Sequence, residues 1–526
     1  MPTDWLLLAG FCGFLFFFGL ASFGLIGADE PRYGQVAREM LARRDWITPT
    51  LGGKPWLEKP PLYYWQAIAA YSIFGVSDWA ARLPSAIDAT LLVLAVYFFL
   101  RRFRNGVHLD GALMTASAAA IVGFARAAST DMPLAAMFGV AMLAWYAWYE
   151  SNSKIWLAAF YVCMGLGVLA KGPVAPFLAA VMVVIFAISK GDYRLIWRTL
   201  WIPGILCFCA VALPWYVAVQ MKNPEFLRVF ILQHNLERFG SNLYRHKEPF
   251  WYYVPVALIS LVPWTVFVLA AFVETVRAWW SEQRDIFKTD SLSVFLIIWL
   301  VVPILFFSIS QSKLPGYILP AVPAGTLLLA DYLRRHLDES ASLVLILFHS
   351  VIAAAPIALA LLLPYFLQVH KLPPATAAAI PLSAAVLVAV GIALSLYARV
   401  GLRALRLATL APTVLAVAAI LRFGAPALDS ALSARPLAQE ISRLETRRLP
   451  LAVYHVSRET EFGLAFYRNQ IIDRYDRGEI PDGEHLVVGT ASSQTAIAAQ
   501  VAGRRVSYLG SFAAQGLNYY YVGAKP

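Results

Sequence analysis

This sequence is short of charge. Only 14% of its 526 residues are Asp, Glu, Lys or Arg, against about 25% in a typical soluble domain. With 60% hydrophobic residues and a mean hydropathy of +0.63, it has too little polar surface to cover a water-soluble enzyme. Cysteine is scarce as well. Cys12, Cys163, Cys207 and Cys209 all lie inside apolar runs, which excludes a disulfide framework and a metal-spaced set. Strict apolar–polar alternation is missing, which excludes a membrane β-barrel. There is no internal repeat. Gly167-Val168-Leu169-Ala170-Lys171-Gly172 lacks the Gly-Lys-Ser/Thr ending of a nucleotide-binding loop. The first apolar run, Trp5–Ile26, has no small-residue cleavage site behind it and is expected to stay as a span rather than leave as a signal peptide.

What is present is a succession of apolar runs, many of about 17–22 residues, enough to cross a hydrocarbon core roughly 30 Å thick. They predict a polytopic α-helical membrane protein. The expected spans are 5–27, 84–100, 111–125, 132–149, 155–170, 173–189, 200–219, 251–273, 293–309, 316–332, 342–364, 379–398 and 407–424, about thirteen in all. The basic connectors Arg101–Arg104, Lys190–Arg198 and Arg399–Arg406 fall on one side of this count, so that side and the N-terminus are expected to be cytoplasmic. The net charge of +11 then belongs to membrane-facing loops and anionic lipid, with no nucleic-acid partner. Residues 425–526 change character. Strands are expected at Leu451–Val456, His485–Gly489, Val506–Leu509 and Tyr519–Val522, with a helix at Gln494–Val501. A small α/β domain follows a membrane domain of residues 1–424. It has no phosphate loop or nucleophile elbow, so its expected role is structural, regulatory or acceptor-docking.

The face opposite the basic connectors receives every chemically loaded segment. The first is the outer loop 28–81, which opens Asp29-Glu30-Pro31-Arg32-Tyr33 and contains Glu58-Lys59-Pro60-Pro61. Within it, Tyr33, Val36, Ala37, Met40 and Leu41 recur at helical spacing, predicting an amphipathic helix in the interface. Ionisable groups at the ends of membrane helices are costly and point to function. Asp29 could instead cap that helix, and Asp131 could cap the fourth span. As a catalytic pair, Asp29 and Asp131 would serve as base and orienter for an acceptor. Lys171, His246, Lys247 and Lys313, with Arg126 and Arg245, are cations on the same face. Singly each could snorkel to headgroups, and together they suit a phosphate at membrane depth. Glu58 with His246 could hold a divalent metal, and no other cofactor is called for by these residues.

At these residues the chain resembles the bacterial aminoarabinose transferase-like branch of the protein O-mannosyltransferase clan, whose members are C-type glycosyltransferases. The resemblance is carried by Asp29-Glu30-x-Arg32-Tyr33, Arg38-Glu39-Met40, Asp45-Trp46, Glu58-Lys59-Pro60-Pro61, Tyr64-Trp65, Thr130-Asp131, Lys171-Gly172-Pro173, His246-Lys247-x-Pro249-Phe250-Trp251 and Ser312-Lys313-x-Pro315-x-Tyr317. It implies the C-type glycosyltransferase fold with thirteen helices, a polyprenyl-phosphate-linked sugar donor and inverting transfer at the periplasmic face of a bacterial inner membrane. The sugar would be aminoarabinose, another pentose or a hexose. The acceptor would be a hydroxyl or phosphate of a lipid such as lipid A, a glycan or a protein. By the same resemblance Asp29 and Asp131 are the acidic pair and Glu58 a cavity carboxylate near donor or metal. Lys59, Lys171, His246, Lys313 and Tyr317 surround the lipid phosphate, and Arg32 and Tyr33 brace the first Asp, with Glu30 beside them in the substrate site. A membrane transporter or flippase of lipid-linked or small polar substrates is the alternative; the one-sided placement of the loaded loops favours the enzyme.

Overall fold

The computed structural model describes residues 2–230, 248–281, 290–339, 341–369, 373–397 and 401–525. Among these, nine helices are long and apolar enough to cross a membrane, or eleven when the bent pairs His108–Ser117 with Ala119–Ala125 and Phe250–Ser260 with Thr265–Ala278 each count as one span. Two shorter apolar helices, Thr3–Phe17 and Val174–Lys190, occupy the two other expected positions. The chain is therefore a multi-pass helical membrane protein. Among the described spans Pro315–His336 and Asp131–Ser151 are the most enclosed; in the latter Trp145 and Trp148 are fully buried, with Trp145 stacked on Phe295 at 5.6 Å.

The first span differs from expectation. Its α-helix runs only to Cys12, widens through a π-turn at Gly13–Phe17 and stops, and residues 18–28 continue unwound. Gly19 and Gly27 take positive φ there (68° and 66°), a backbone setting that side chains resist. The second span also begins earlier than expected, at Asp78, capped by Ser77 accepting from the Ala80 N–H at 3.2 Å. Pro84 suggests a helix start, but it sits inside a helix running from Asp78 to Phe103.

The outer loop is more structured than its prolines suggest. Helix Asp29–Arg43 is followed by the hairpin β1 (Thr50–Leu51) and β2 (Lys54–Pro55), then helix Leu62–Phe74. Glu39 fastens the hairpin, accepting from Thr50 Oγ1 and from the Gly52 and Gly53 N–H groups at 2.8–3.1 Å. The apolar face expected of helix Asp29–Arg43 is occupied within the protein: Tyr33, Val36, Ala37 and Met40 are buried against Tyr63, Tyr64 and Ile68 of helix Leu62–Phe74, with Phe466 of the C-terminal unit in the same cluster.

The last membrane helix runs from Leu402 to Leu432, past the boundary expected at Gly424, and the α/β unit gathers from helix Arg435–Leu444 onward. Its strands are β3 (Leu451–Tyr454), β4 (Ile472–Arg474), β5 (His485–Thr490), β6 (Val506–Phe512) and β7 (Leu517–Val522), in the order β4-β3-β5-β7-β6. β4, β3 and β5 are parallel and β7 and β6 antiparallel, as a helical crossover at Arg458–Arg468 and a terminal hairpin require. This unit is clamped to the membrane domain. Arg38 donates to the Phe466 carbonyl at 2.6 Å, Tyr467 donates to Asp78 at 2.6 Å, and Arg435 bridges Asp78 and Asp429 at 2.8 and 2.7 Å.

Candidate active site

An unwound segment at membrane depth needs donors for its carbonyls, because lipid offers none. Two arginines supply them. Arg126 donates to the carbonyls of Leu15 and Gly19, both at 3.0 Å, and Arg82 to those of Leu20, Phe23 and Gly24 at 2.7–2.8 Å. Arg82 is fully buried and needs a counter-charge, which Glu30 provides at 2.6 Å. Glu30 also accepts the N–H groups of Ile26 and Ala128, each at 2.9 Å. One carboxylate thus ties together the unwound segment, the second span and the chain leading into Asp131. Glu30 was expected in the substrate site and Arg126 among the phosphate cations. In the structure both brace the fold: Glu30 accepts on both of its oxygens, and Arg126 gives two of its five N–H groups to the backbone.

Beside this hub stands Asp29, with its side chain 56% exposed. It is the first residue of its helix and makes no cap; Ala28 precedes it without a side-chain bond to the backbone. Arg32 holds it at 2.5 Å. The guanidinium is enclosed by the rings of Tyr33 and Trp56, each 5.1 Å away, and Phe462 of the C-terminal unit at 5.8 Å. Burial works against this charge, and the combined field of Tyr33, Asp29 and Glu58 more than offsets it, so Arg32 keeps its proton more firmly than usual. Burial, and then the charge of Asp29, raise the Tyr33 phenol well above its ordinary value.

The second wall is built on helix ends. Asp131 opens helix Asp131–Ser151 and Lys171 closes helix Lys154–Lys171, where a cation suits the negative end of the helix dipole. The two side chains form an ion pair. The other Asp131 oxygen faces Ser129 Oγ at 3.3 Å, and the cap position belongs to Thr130, so Asp131 does not cap its helix. The Tyr317 ring lies 4.6 Å from the Lys171 ammonium. Gly316 approaches so closely that a Cβ there would stand 2.7 Å from the Phe124 ring and 3.0 Å from the Asp131 carboxyl carbon. Lys59 contributes to the field at Asp131, and Tyr33 lies in the fields of both Asp29 and Asp131. The two walls therefore face one space.

Lys313 belongs to the loop that carries Gly316 and Tyr317. It is buried, and its ammonium donates to the carbonyls of Ser310 and Glu248 at 2.6 and 3.1 Å. Tyr253 pins the same loop by donating to the Leu314 carbonyl at 3.0 Å and accepting its N–H at 3.1 Å. His246, with Arg245 and Lys247, lies outside the described residues. Among the described residues no three His, Cys, Asp or Glu side chains gather to hold a metal, and Glu58 sits in the field of Arg32. Sequence reasoning missed Arg82, Tyr253 and Phe462. Only Arg82 left a signal, as a lone arginine at the head of an apolar run and a natural partner for a buried acid.

The profile of the dolichyl-phosphate-mannose-protein mannosyltransferase family matches residues 6–230. An undecaprenyl phosphate-alpha-4-amino-4-deoxy-L-arabinose arabinosyl transferase of Pseudomonas aeruginosa is 31% identical over 343 residues, covering 63% of this chain and 60% of that protein. A similarly named protein of Pseudomonas fluorescens is 30% identical over 376 residues, covering 70% and 66%. The matched stretches thus span less than two thirds of these relatives' own length. Across the whole chain the fold is that of ArnT from Cupriavidus metallidurans, solved bound to undecaprenyl phosphate. The TM-score is 0.79 at 22% identity, covering 99% of this chain and 98% of that one.

Proposed function

The chain belongs to the aminoarabinose transferase-like branch of the protein O-mannosyltransferase clan, and on that premise we propose that it is an inverting glycosyltransferase using a polyprenyl-phosphate-linked sugar. The observation that carries this reading is the unequal pair of acids. Asp131 is locked by the Lys171 ammonium, whereas Asp29 is half exposed with Arg32 as its one hydrogen-bond donor among the described residues.

In the proposed reaction the bond from the sugar's anomeric carbon to the lipid phosphate breaks. An acceptor oxygen bonds to that carbon from the opposite face, and its proton passes to Asp29. The charge that builds on the departing phosphate is met by Lys171 and Lys59, with Asp131 holding Lys171 in place and Tyr317 backing it. Arg32 and Tyr33 keep Asp29 aimed. Lys313 acts through its loop, since two carbonyls already hold its ammonium.

The sugar we propose is aminoarabinose, because both relatives are named for it, and the acceptor a lipid hydroxyl or phosphate at the periplasmic face. The site and the α/β unit would then be periplasmic and the N-terminus cytoplasmic. The test is transfer by purified protein in liposomes holding undecaprenyl-phosphate aminoarabinose and lipid A, set against a hexose-linked donor. Asp29→Asn should abolish product without loss of fold. Transfer by that variant at the wild-type rate would remove Asp29 from the reaction.

A further inference from the structure

On the face opposite the candidate site, helices Asp78–Phe103 and Lys154–Lys171 both pack on Asp131–Ser151 and leave between them a groove of about 630 Å³. Its walls include Phe98 and Trp156, and its floor Ala144 and Ala147, small residues that keep it deep. Phe98 is 51% exposed, so the groove opens sideways toward lipid rather than into the bundle. The two charged residues that line it are Arg101 and Arg102, at the last turn of their helix.

Those arginines are not loosely placed. The Arg102 guanidinium lies over the rings of Phe103 and Trp156 at 5.6 and 6.0 Å, and Arg101 interacts with the Tyr97 hydroxyl. Two residues before Trp156 in the chain, Lys154 holds its ammonium over Trp148 and Trp201 at 5.8 and 5.5 Å, and Arg198 lies over Trp148 at 5.7 Å. A basic mouth without a lining carboxylate, set above an apolar slot at headgroup level, complements a phosphate joined to acyl chains.

We propose that this groove is a binding site for an anionic phospholipid of the adjacent leaflet, with an acyl chain between Phe98 and Trp156 and the phosphate on Arg101 and Arg102. The occupant is a bilayer lipid because the groove is entered from the side, along its length. This site is separate from the candidate active site, which lies at the other end of these helices.

The test is native mass spectrometry of the full chain titrated with phosphatidylglycerol, phosphatidylethanolamine or undecaprenyl phosphate. Phosphatidylglycerol should bind the wild type at about tenfold lower concentration than phosphatidylethanolamine, and the double variant R101Q/R102Q should lose that preference. Ala159 also lines the groove, and Ala159→Leu, which fills it and keeps both arginines, should weaken the binding of both phospholipids. Equal binding of the two phospholipids by the wild type, or unchanged phosphatidylglycerol binding by either variant, overturns the proposal. Undecaprenyl phosphate displacing phosphatidylglycerol from the groove overturns the assignment to a phospholipid. A double variant too unstable to purify leaves the decision to Ala159→Leu.

Discussion

Around Glu30 every carboxylate oxygen has its donors, and around Asp29 and Asp131 the donors are fewer and the exposure greater. Glu30 meets Arg82 and two backbone N–H groups and is 8% exposed; Asp131 meets Lys171 and Ser129 at 20%, and Asp29 meets Arg32 at 56%. Both regions begin with an acid in the first turn of a helix beside a cation. In the first, the pair closes on itself and fixes three chain segments. In the second, charge is held in position and left accessible, as a site must if a phosphate and an acceptor are to enter. Neighbouring residues in sequence, Asp29 and Glu30, thus point to opposite uses.

The sharpest way to break this contrast is to remove Arg82. Arg82→Ala would strand Glu30 and three carbonyls in a buried setting, and should cost about 3–5 kcal/mol of stability. The check is folded yield and thermal unfolding in detergent. Full stability in this variant would mean that the hub does not brace the fold. Asp131→Asn should act mainly on the reaction: it frees Lys171, so transfer falls by about 10–100-fold, the worth of one hydrogen bond to a charged group, with the fold kept in thermal unfolding. Lys171→Gln should raise the donor concentration needed for half-maximal rate by about 10–100-fold, the worth of one hydrogen bond to a charged group. A changed acceptor requirement with an unaltered donor requirement would move Lys171 away from the phosphate.

Gly316→Ala sharpens the comparison differently, because it alters geometry and leaves charge untouched. Its Cβ would press on Phe124 and Asp131, so a stability loss of about 1–3 kcal/mol should come with a clear drop in rate. Wild-type rate in this variant would show that the Asp131 position tolerates displacement. The smallest effect is expected from Phe462→Leu, which keeps bulk but removes one ring from the Arg32 enclosure, about 0.5–1 kcal/mol. A few-fold fall in rate with unchanged unfolding would show that the α/β unit helps to set the site; no change in rate would reduce it to a cover.

Much of the site was legible before the fold. Asp131, Lys171 and Tyr317 stand beside prolines and glycines that end or break helices, and such breaks mark where charge can reach a membrane site. The bracing by Glu30 was hidden because composition shows that an acid is present but not whether its lone pairs are occupied. The unwound stretch 18–28 was hidden for a related reason: Leu20, Phe23 and Ile26 are apolar enough to pass for helix. Arg82 and Arg126, distant in sequence, make that stretch stable without helical hydrogen bonds.

The sequence by itself determined that the chain crosses a membrane many times, that Asp29, Asp131, Lys171 and Tyr317 stand at helix breaks on one face, and that a small α/β unit follows. Hydrophobic run length, charge placement and period-two strand patterns are local properties, so no long-range contact is needed to read them. Only the tertiary structure decided which charges are consumed by the scaffold and which stay open. It also seated the α/β unit through Arg38, Tyr467 and Arg435 and brought Phe462 over Arg32. Those outcomes depend on which donor reaches which acceptor once the helices have packed, and a buried polar group takes whatever partner the packing brings within reach.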